Sequence, residues 1–265
     1  MGLITLLSDF GLVDGYVAQM KGAIAAIAPQ VQVIDLTHLV PPQDVAAGRF
    51  CLTSTCPYFP AGTVHVAVVD PGVGGARRTV AVRCEEAFFV GPDNGLLSGI
   101  LAVTPVVAAV ELTEPRYWRT PSPSATFHGR DIFAPVGAHL ALGVPFEQLG
   151  RPIEPASLVV LDLPDCRATA EGYAGAIQAV DRFGNLITNF PGGVVAGRPW
   201  SVVLGKWTIP GGHTYSDVPR GETLALVGSH GFVEVAVAGG SAGQVLDQTV
   251  GAPVILIWQP SVDRH

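Results

Sequence analysis

In the stretch VVDPGVGGARR, Val68 to Arg78, an apolar run ends on an aspartate, turns through glycines and then meets two arginines. Only 14% of the chain is charged, so an acid and a guanidinium grouped at a strand end mark a candidate site. Asp70 accepts hydrogen bonds, while Arg77 donates only and stays charged at any ordinary pH. The pair suits a turn-stabilising ion pair or a charged frame around a reacting atom. Three further stretches carry polar groups at the ends of apolar runs: SDFG (Ser8, Asp9), GPDNG (Asp93, Asn94) and TFHGRD (His128, Arg130, Asp131). Asp9 suits a turn or cap, and equally a carboxylate accepting two hydroxyls, as acids at the ends of Rossmann strands do for ribose. His128 is either a structural histidine or a proton-transfer group.

The glycines of PGVGG lack the spacing of a P-loop or dinucleotide fingerprint. Gly72, Gly74 and Gly75 therefore read first as a tight turn, with phosphate cradling as the lesser alternative. Seven histidines (His38, His65, His128, His139, His213, His230, His265) show no H-x-x-x-H or H-E-x-x-H pattern, so no metal is expected. Cys51, Cys56, Cys84 and Cys166 form no C-x-x-C pair and read as reduced thiols. Further on, DRFGNLITN places Asp181 and Asn185 around Phe183 and Gly184. It reads as an ordinary β-turn or as a base-recognition loop, with Phe183 stacking and Asn185 pairing donor with acceptor.

The elements that must position these groups fall into two textures. Up to about residue 150, short apolar runs alternate with helical patterns: LITLLSDF, then DGYVAQMKGAIAAIAP with Asp14 as candidate N-cap, then VQVIDLT. A helix opening on the prolines of PPQDVAAGRF follows, then the strand GTVHVAVVDPG and two strands joined at EE in RTVAVRCEEAFFV. GRDIFAPVGAHLALG completes the series as a helix. The alternation predicts an α/β domain, a mostly parallel sheet sandwiched by helices, whose strand carboxyl ends gather the candidate loops. LGRPIEPASLVVLDLP reads as a linker; beyond it, short runs with turn signals every ten or so residues predict a smaller all-β barrel. The expected domains are 1–155 and 169–265, with 156–168 between them.

With 265 residues and 48% hydrophobic content, the chain can bury a large core. No apolar stretch reaches the ~20 residues that span a bilayer, and the N-terminus has no signal-peptide pattern. A cytoplasmic protein without a membrane partner is expected. A mean hydropathy of +0.40 suggests apolar surface buried in an oligomer. The net charge of -7 argues against nucleic acid as a partner.

Taken together, SDFG…DGYVAQMKG, VPPQDV, VVDPGVG…RR, GPDNGLL, TFHGRDIFAP, DRFGN…TN and GSHGFVEVAV resemble, in order and over nearly the whole chain, the S-adenosylmethionine hydroxide adenosyltransferases, relatives of fluorinase and chlorinase. The resemblance implies an α/β domain followed by a β-barrel, and a homotrimer with active sites between subunits. It implies attack of water or hydroxide on ribose C5′ of S-adenosylmethionine, giving adenosine and methionine with no cofactor. It assigns Asp70, Arg77 and His128 to catalysis, Asp9 to the ribose, and Asp181, Phe183, Asn185 and Ser229 to adenine and methionine. Halogenating relatives carry Tyr at the position of Asp70, Tyr-Ser at His128-Gly129, Arg at His230 and an extra loop before FFVGPDNG. A carboxylate at Asp70 suits water and repels a desolvated halide. His128 is the expected general base. A binding protein with little turnover and a halide transferase are the alternatives.

Overall fold

A computed structural model describes residues 2–259. The chain forms two compact units, Met1–Leu161 and Asp162–His265. The first is built on a seven-stranded sheet in the order β2-β1-β3-β5-β4-β6-β7. Its strands are β1 (Leu3–Ser8), β2 (Gln32–Thr37), β3 (Thr63–Val68), β4 (Thr79–Cys84), β5 (Ala87–Pro92), β6 (Val106–Glu111) and β7 (Arg151–Ile153). The block β2-β1-β3-β5 is parallel, and β4, β6 and β7 extend it antiparallel. All six residues of β3 are buried, as a central strand covered on both faces requires.

Alternation along the strands sends side chains to opposite faces. Ile4, Leu6, Val64, Val66 and Val68 join Met20 and Ile24 of helix α1 (Tyr16–Ile27) in one core. Leu7, Ala67, Val69, Val80 and Val82 meet Leu52 of helix α2 (Val45–Thr55) in the other. A four-residue helix α3 (Ser98–Leu101) adds Ile100 to that second face. On the first face, helix α4 (Ala134–Ala141) adds Ala134, Val136, Ala138 and Leu140.

Several local expectations are corrected. Helix α1 starts after Gly15, with no side-chain cap, so Asp14 is not the N-cap. Helix α2 does not open on Pro41 and Pro42; Asp44 caps it by accepting from the Ala47 N–H at 2.9 Å. The segment read as a linker begins as strand, because Arg151–Ile153 pairs with β6.

The second unit is an antiparallel barrel of β8 (Arg167–Ala168), β9 (Gly172–Val180), β10 (Leu186–Pro191), β11 (Trp200–Leu204), β12 (Trp207–Pro210), β13 (Thr223–Val227), β14 (Phe232–Val237) and β15 (Pro253–Trp258). Its strands follow the order β12-β11-β15-β9-β10-β14-β13, with β8 paired to β9. The two ends meet where Gly211 bridges Ala225 and the Gly212 N–H donates to the Ala225 carbonyl at 2.7 Å. Gly211 is required there: a Cβ would sit 2.4 Å from the Trp200 ring. Ile177, Leu186, Phe190, Val202, Val233, Val235 and Leu256 fill the interior. A short helix α5 (Ala242–Leu246), capped by Ser241, interrupts the all-β texture. All four cysteines are free thiols.

Candidate active site

The carboxyl ends of β1 and β3, the start of α1, and the loop before α4 enclose a cleft of about 400 Å³. Asp9, Asp70 and His128 line it together with Phe10, Tyr16, Gln43 and Phe127. Phe10, Tyr16 and Phe127 form an aromatic wall with centroids 5.3 to 5.9 Å apart, a geometry that favours tilted and edge contacts.

At the centre, Asp70 and Arg77 form a two-point ion pair: Nε donates to Oδ1 at 2.9 Å, and an Nη donates to Oδ2. Their side chains are only 5% and 10% exposed, so solvent screens the pair weakly. The same Nη lies 2.8 Å from Nδ1 of His128. Arginine has no acceptor, so Nδ1 must receive this bond and the neutral ring carries its proton on Nε2. Burial lowers the His128 pKa, the Arg77 charge lowers it further, and Asp70 and Asp131 partly oppose the shift. The ring is therefore a neutral imidazole at pH 7. A base acting through Nδ1 would have to give up its bond to Arg77.

The loop geometry explains the glycines. Gly74 has φ +75, and a Cβ on it would meet the Ala125 carbonyl at 2.3 Å. The glycine turn thus lies directly against the loop that carries His128. That loop is anchored by Asp131, which is fully buried. Asp131 accepts from Arg119 Nε at 2.5 Å, Arg130 Nε at 2.7 Å and the Ser124 N–H at 2.9 Å. Burial opposes ionisation there, but these donors outweigh it and hold the carboxyl well below its ordinary range. A π-type turn over Gly129–Phe133 links the loop to α4, a device common at functional sites.

Arg78 takes the opposite course from Arg77. It pairs with Asp93 at 2.8 Å through Nε and reaches Ser157, while Asp93 also accepts from the Val159 N–H. Asn94 donates to the Val69 carbonyl and accepts from the Leu96 N–H. GPDNG is therefore framework: Asp93 and Asn94 do not line the cleft.

Asp9 accepts from the Gln43 N–H at 2.7 Å. Gln43 sits at φ +65, a conformation uncommon for a non-glycine residue. It was not singled out from the sequence; its only signal was its place in VPPQDV. The aromatic wall was equally unmarked.

Asp181, Phe183, Asn185 and Ser229 belong to the second unit. Asp181 organises the β9–β10 turn: Oδ1 accepts the Phe183 and Asn185 N–H groups at 2.9 Å each, and Oδ2 accepts from the Asn185 side chain. The turn leaves Phe183 78% exposed and Asn185 buried. Ser229 lies in the turn between β13 and β14, beside His230, whose Nε2 is 2.8 Å from the buried Glu234. Among the described residues there is no cluster of three metal-ligating side chains.

An acid–guanidinium–imidazole set beside a cleft, at the carboxyl ends of parallel strands, defines an α/β enzyme. Residues 4–150 match the N-terminal domain of the SAM hydroxide adenosyltransferases and residues 175–255 match their C-terminal domain. The chain belongs to that family. A Salinispora tropica protein described as (R)-S-adenosyl-L-methionine hydrolase is 47% identical, the match covering 94% of this chain and 95% of that one. A fluorinase from Actinopolyspora mzabensis is 29% identical over 88% of this chain and 90% of its own. The crystal structure of an uncharacterised conserved protein from Thermotoga maritima superposes with a TM-score of 0.89 at 35% identity, covering 96% of this chain and 99% of that one.

Proposed function

We propose that this protein hydrolyses S-adenosyl-L-methionine to adenosine and L-methionine, water attacking ribose C5′. The observation that carries the reading is that Asp70 and His128 line one cleft with Asp9 and are joined to each other through Arg77. Family membership and a 47%-identical relative described as such a hydrolase support it.

The sulfonium is already a good leaving group, so no acid is needed to expel it. As the water oxygen bonds to C5′, the C5′–S bond breaks and its electron pair returns to sulfur, giving the neutral thioether of methionine. The site's task is to hold one water in line and relieve it of a proton. Asp70 lines the cleft, and Arg77 uses two of its roughly four lone-pair sites. Asp70 is therefore the group that receives a hydrogen bond from the attacking water and, as the C–O bond forms, its proton. The Nε2–H of His128 is a donor that fixes the water oxygen, and Arg77 holds both partners in register. Asp9 takes the 2′- and 3′-hydroxyls. The carboxylate of Asp70 disfavours a halide in place of water.

We read the protein further as a cytoplasmic homotrimer that needs no cofactor. In this reading Asp181, Phe183, Asn185 and Ser229 of one copy complete the cleft of another, contributing to adenine and methionine recognition. Leu12 and Val13, 67% and 99% exposed on the loop leading into α1, are apolar surface that such a contact would cover.

Incubation with S-adenosylmethionine in ¹⁸O-water, with and without chloride, tests the reaction by mass spectrometry. Adenosine with ¹⁸O at the 5′ position, regardless of chloride, is the expected product. 5′-Chloro-5′-deoxyadenosine would instead mark a halide transferase. Thermal stabilisation by the substrate with no product would mark a binding protein.

A further inference from the structure

Directly behind Asp9 lies a second serine–histidine–aspartate arrangement. Ser8 Oγ is 2.7 Å from His38 Nδ1, and His38 Nε2 is 3.1 Å from Asp35 Oδ1, close but off the line of an ideal bond. Asp35 in turn accepts from Lys21 Nζ at 2.6 Å. The order resembles a nucleophilic triad, yet it cannot act as one: Ser8 is fully buried, and its oxygen lies between His38 and the Phe10 N–H.

The proton directions are fixed by the ends. Nε2 faces the Asp35 carboxylate and so carries a proton, and in that tautomer Nδ1 presents a lone pair. The Ser8 hydroxyl donates to that lone pair, and its oxygen accepts the Phe10 N–H at 3.3 Å. His38 also grips the same turn through its backbone, since its carbonyl accepts the Gly11 N–H at 2.7 Å. Asp9 sits between these two attachments, and the Gln43 N–H meets its Oδ2 from the far side.

We propose that Ser8, His38 and Asp35 form a positioning relay that aims the Asp9 carboxylate at a vicinal diol, the two ribose hydroxyls of a nucleoside. The proposal rests on the reading of Asp9 given above. None of the three residues need touch the substrate; each acts through the turn that carries Asp9. Removing the Ser8 hydroxyl frees the Phe10 N–H and the turn loosens. The loss should fall on diol recognition alone, not on the nucleoside as a whole.

The test compares binding of adenosine and of 2′,3′-dideoxyadenosine by calorimetry. A well-aimed carboxylate on two hydroxyls should give the wild type a preference of about 10²-fold for adenosine. Ser8→Ala should cut that preference by about tenfold and Asp35→Asn by about threefold, with dideoxyadenosine affinity unchanged in both. Parallel weakening of both nucleosides, with the preference intact, would mean a merely structural role and overturn the relay. Equal binding of both nucleosides by the wild type would instead remove Asp9 from the ribose, and the relay with it. Should Ser8→Ala fail to fold, Asp35→Asn decides, because its side chain is 35% exposed; an unchanged preference there overturns the proposal.

Discussion

The loop after β3 and the turn after β9 both hang acids on a strand end, yet they spend them differently. After β3, Asp70 is held by a guanidinium that also binds an imidazole, and the three side chains lock one another. After β9, Asp181 is consumed by backbone N–H groups of its own turn, and the side chain left outward is an aromatic ring. The first arrangement fixes charge before a substrate arrives, as stabilisation of a transition state requires. The second fixes a backbone and offers a stacking surface, which suits recognition. The proposed function assigns chemistry to the first region and binding to the second, and that division is the one to be broken.

Arg77→Ala is the strongest attempt. It frees Asp70 and His128 together, and kcat should fall ~10²-fold or more with KM little changed. Steady-state kinetics on the folded variant checks this; near-wild-type turnover would remove Arg77 from the chemistry.

Arg78→Ala sharpens the same contrast from next door. Its loss leaves Asp93, whose side chain is 4% exposed, with the Val159 N–H as its one remaining side-chain partner among the described residues. Stability should drop by about 2 kcal/mol, since bonds to charged groups are the strong ones, while kcat stays within about twofold. Denaturant melts beside kinetics would read both. A turnover loss matching that of Arg77→Ala would show that the two arginines do not divide their labour.

That division is invisible in the letters RR. Neighbouring residues in extended chain point opposite ways, but which one faces the cleft depends on how the glycine turn delivers them. The Asp70–Arg77 pairing and the buried β3 strand, by contrast, were legible from a charged pair ending an apolar run. The EE connection revealed two strands, and a two-residue reversal makes them antiparallel; its effect on the whole sheet emerges only once β6 and β7 pair on that side. The π-type turn at Gly129–Phe133 and the left-handed Gln43 left no local signal, because tertiary contacts impose both. In the second unit, spacing of turn signals was enough for a barrel, but closure through Gly211 and Ala225 is a long-range event.

Phe183→Ala tests the other side of the comparison. If the exposed ring stacks on the base, its removal should raise KM about tenfold, with kcat within about twofold, as stacking losses of 1–3 kcal/mol predict. A fall in kcat with KM unchanged would place this turn in the chemistry.

The smallest effect is the pH response above neutrality. His128 is held below its ordinary pKa, first by burial and then by Arg77, so it is already neutral at pH 7. Turnover should vary by no more than about twofold between pH 7 and 9. Below about pH 6.5 the sign is set by the same lowering. The unfolded chain takes up a proton there before the folded one does, so this histidine's contribution to stability is complete above that pH and is lost as pH falls toward the lowered value. Protonation within the fold puts a hydrogen on Nδ1 opposite the Arg77 donor and breaks the set, so kcat falls. The turn after β9 carries no histidine, so KM should hold while kcat declines. An acidic limb in kcat centred above pH 6.5 would contradict the lowered His128 pKa, and a KM that climbs with the limb would show that the two regions titrate as one.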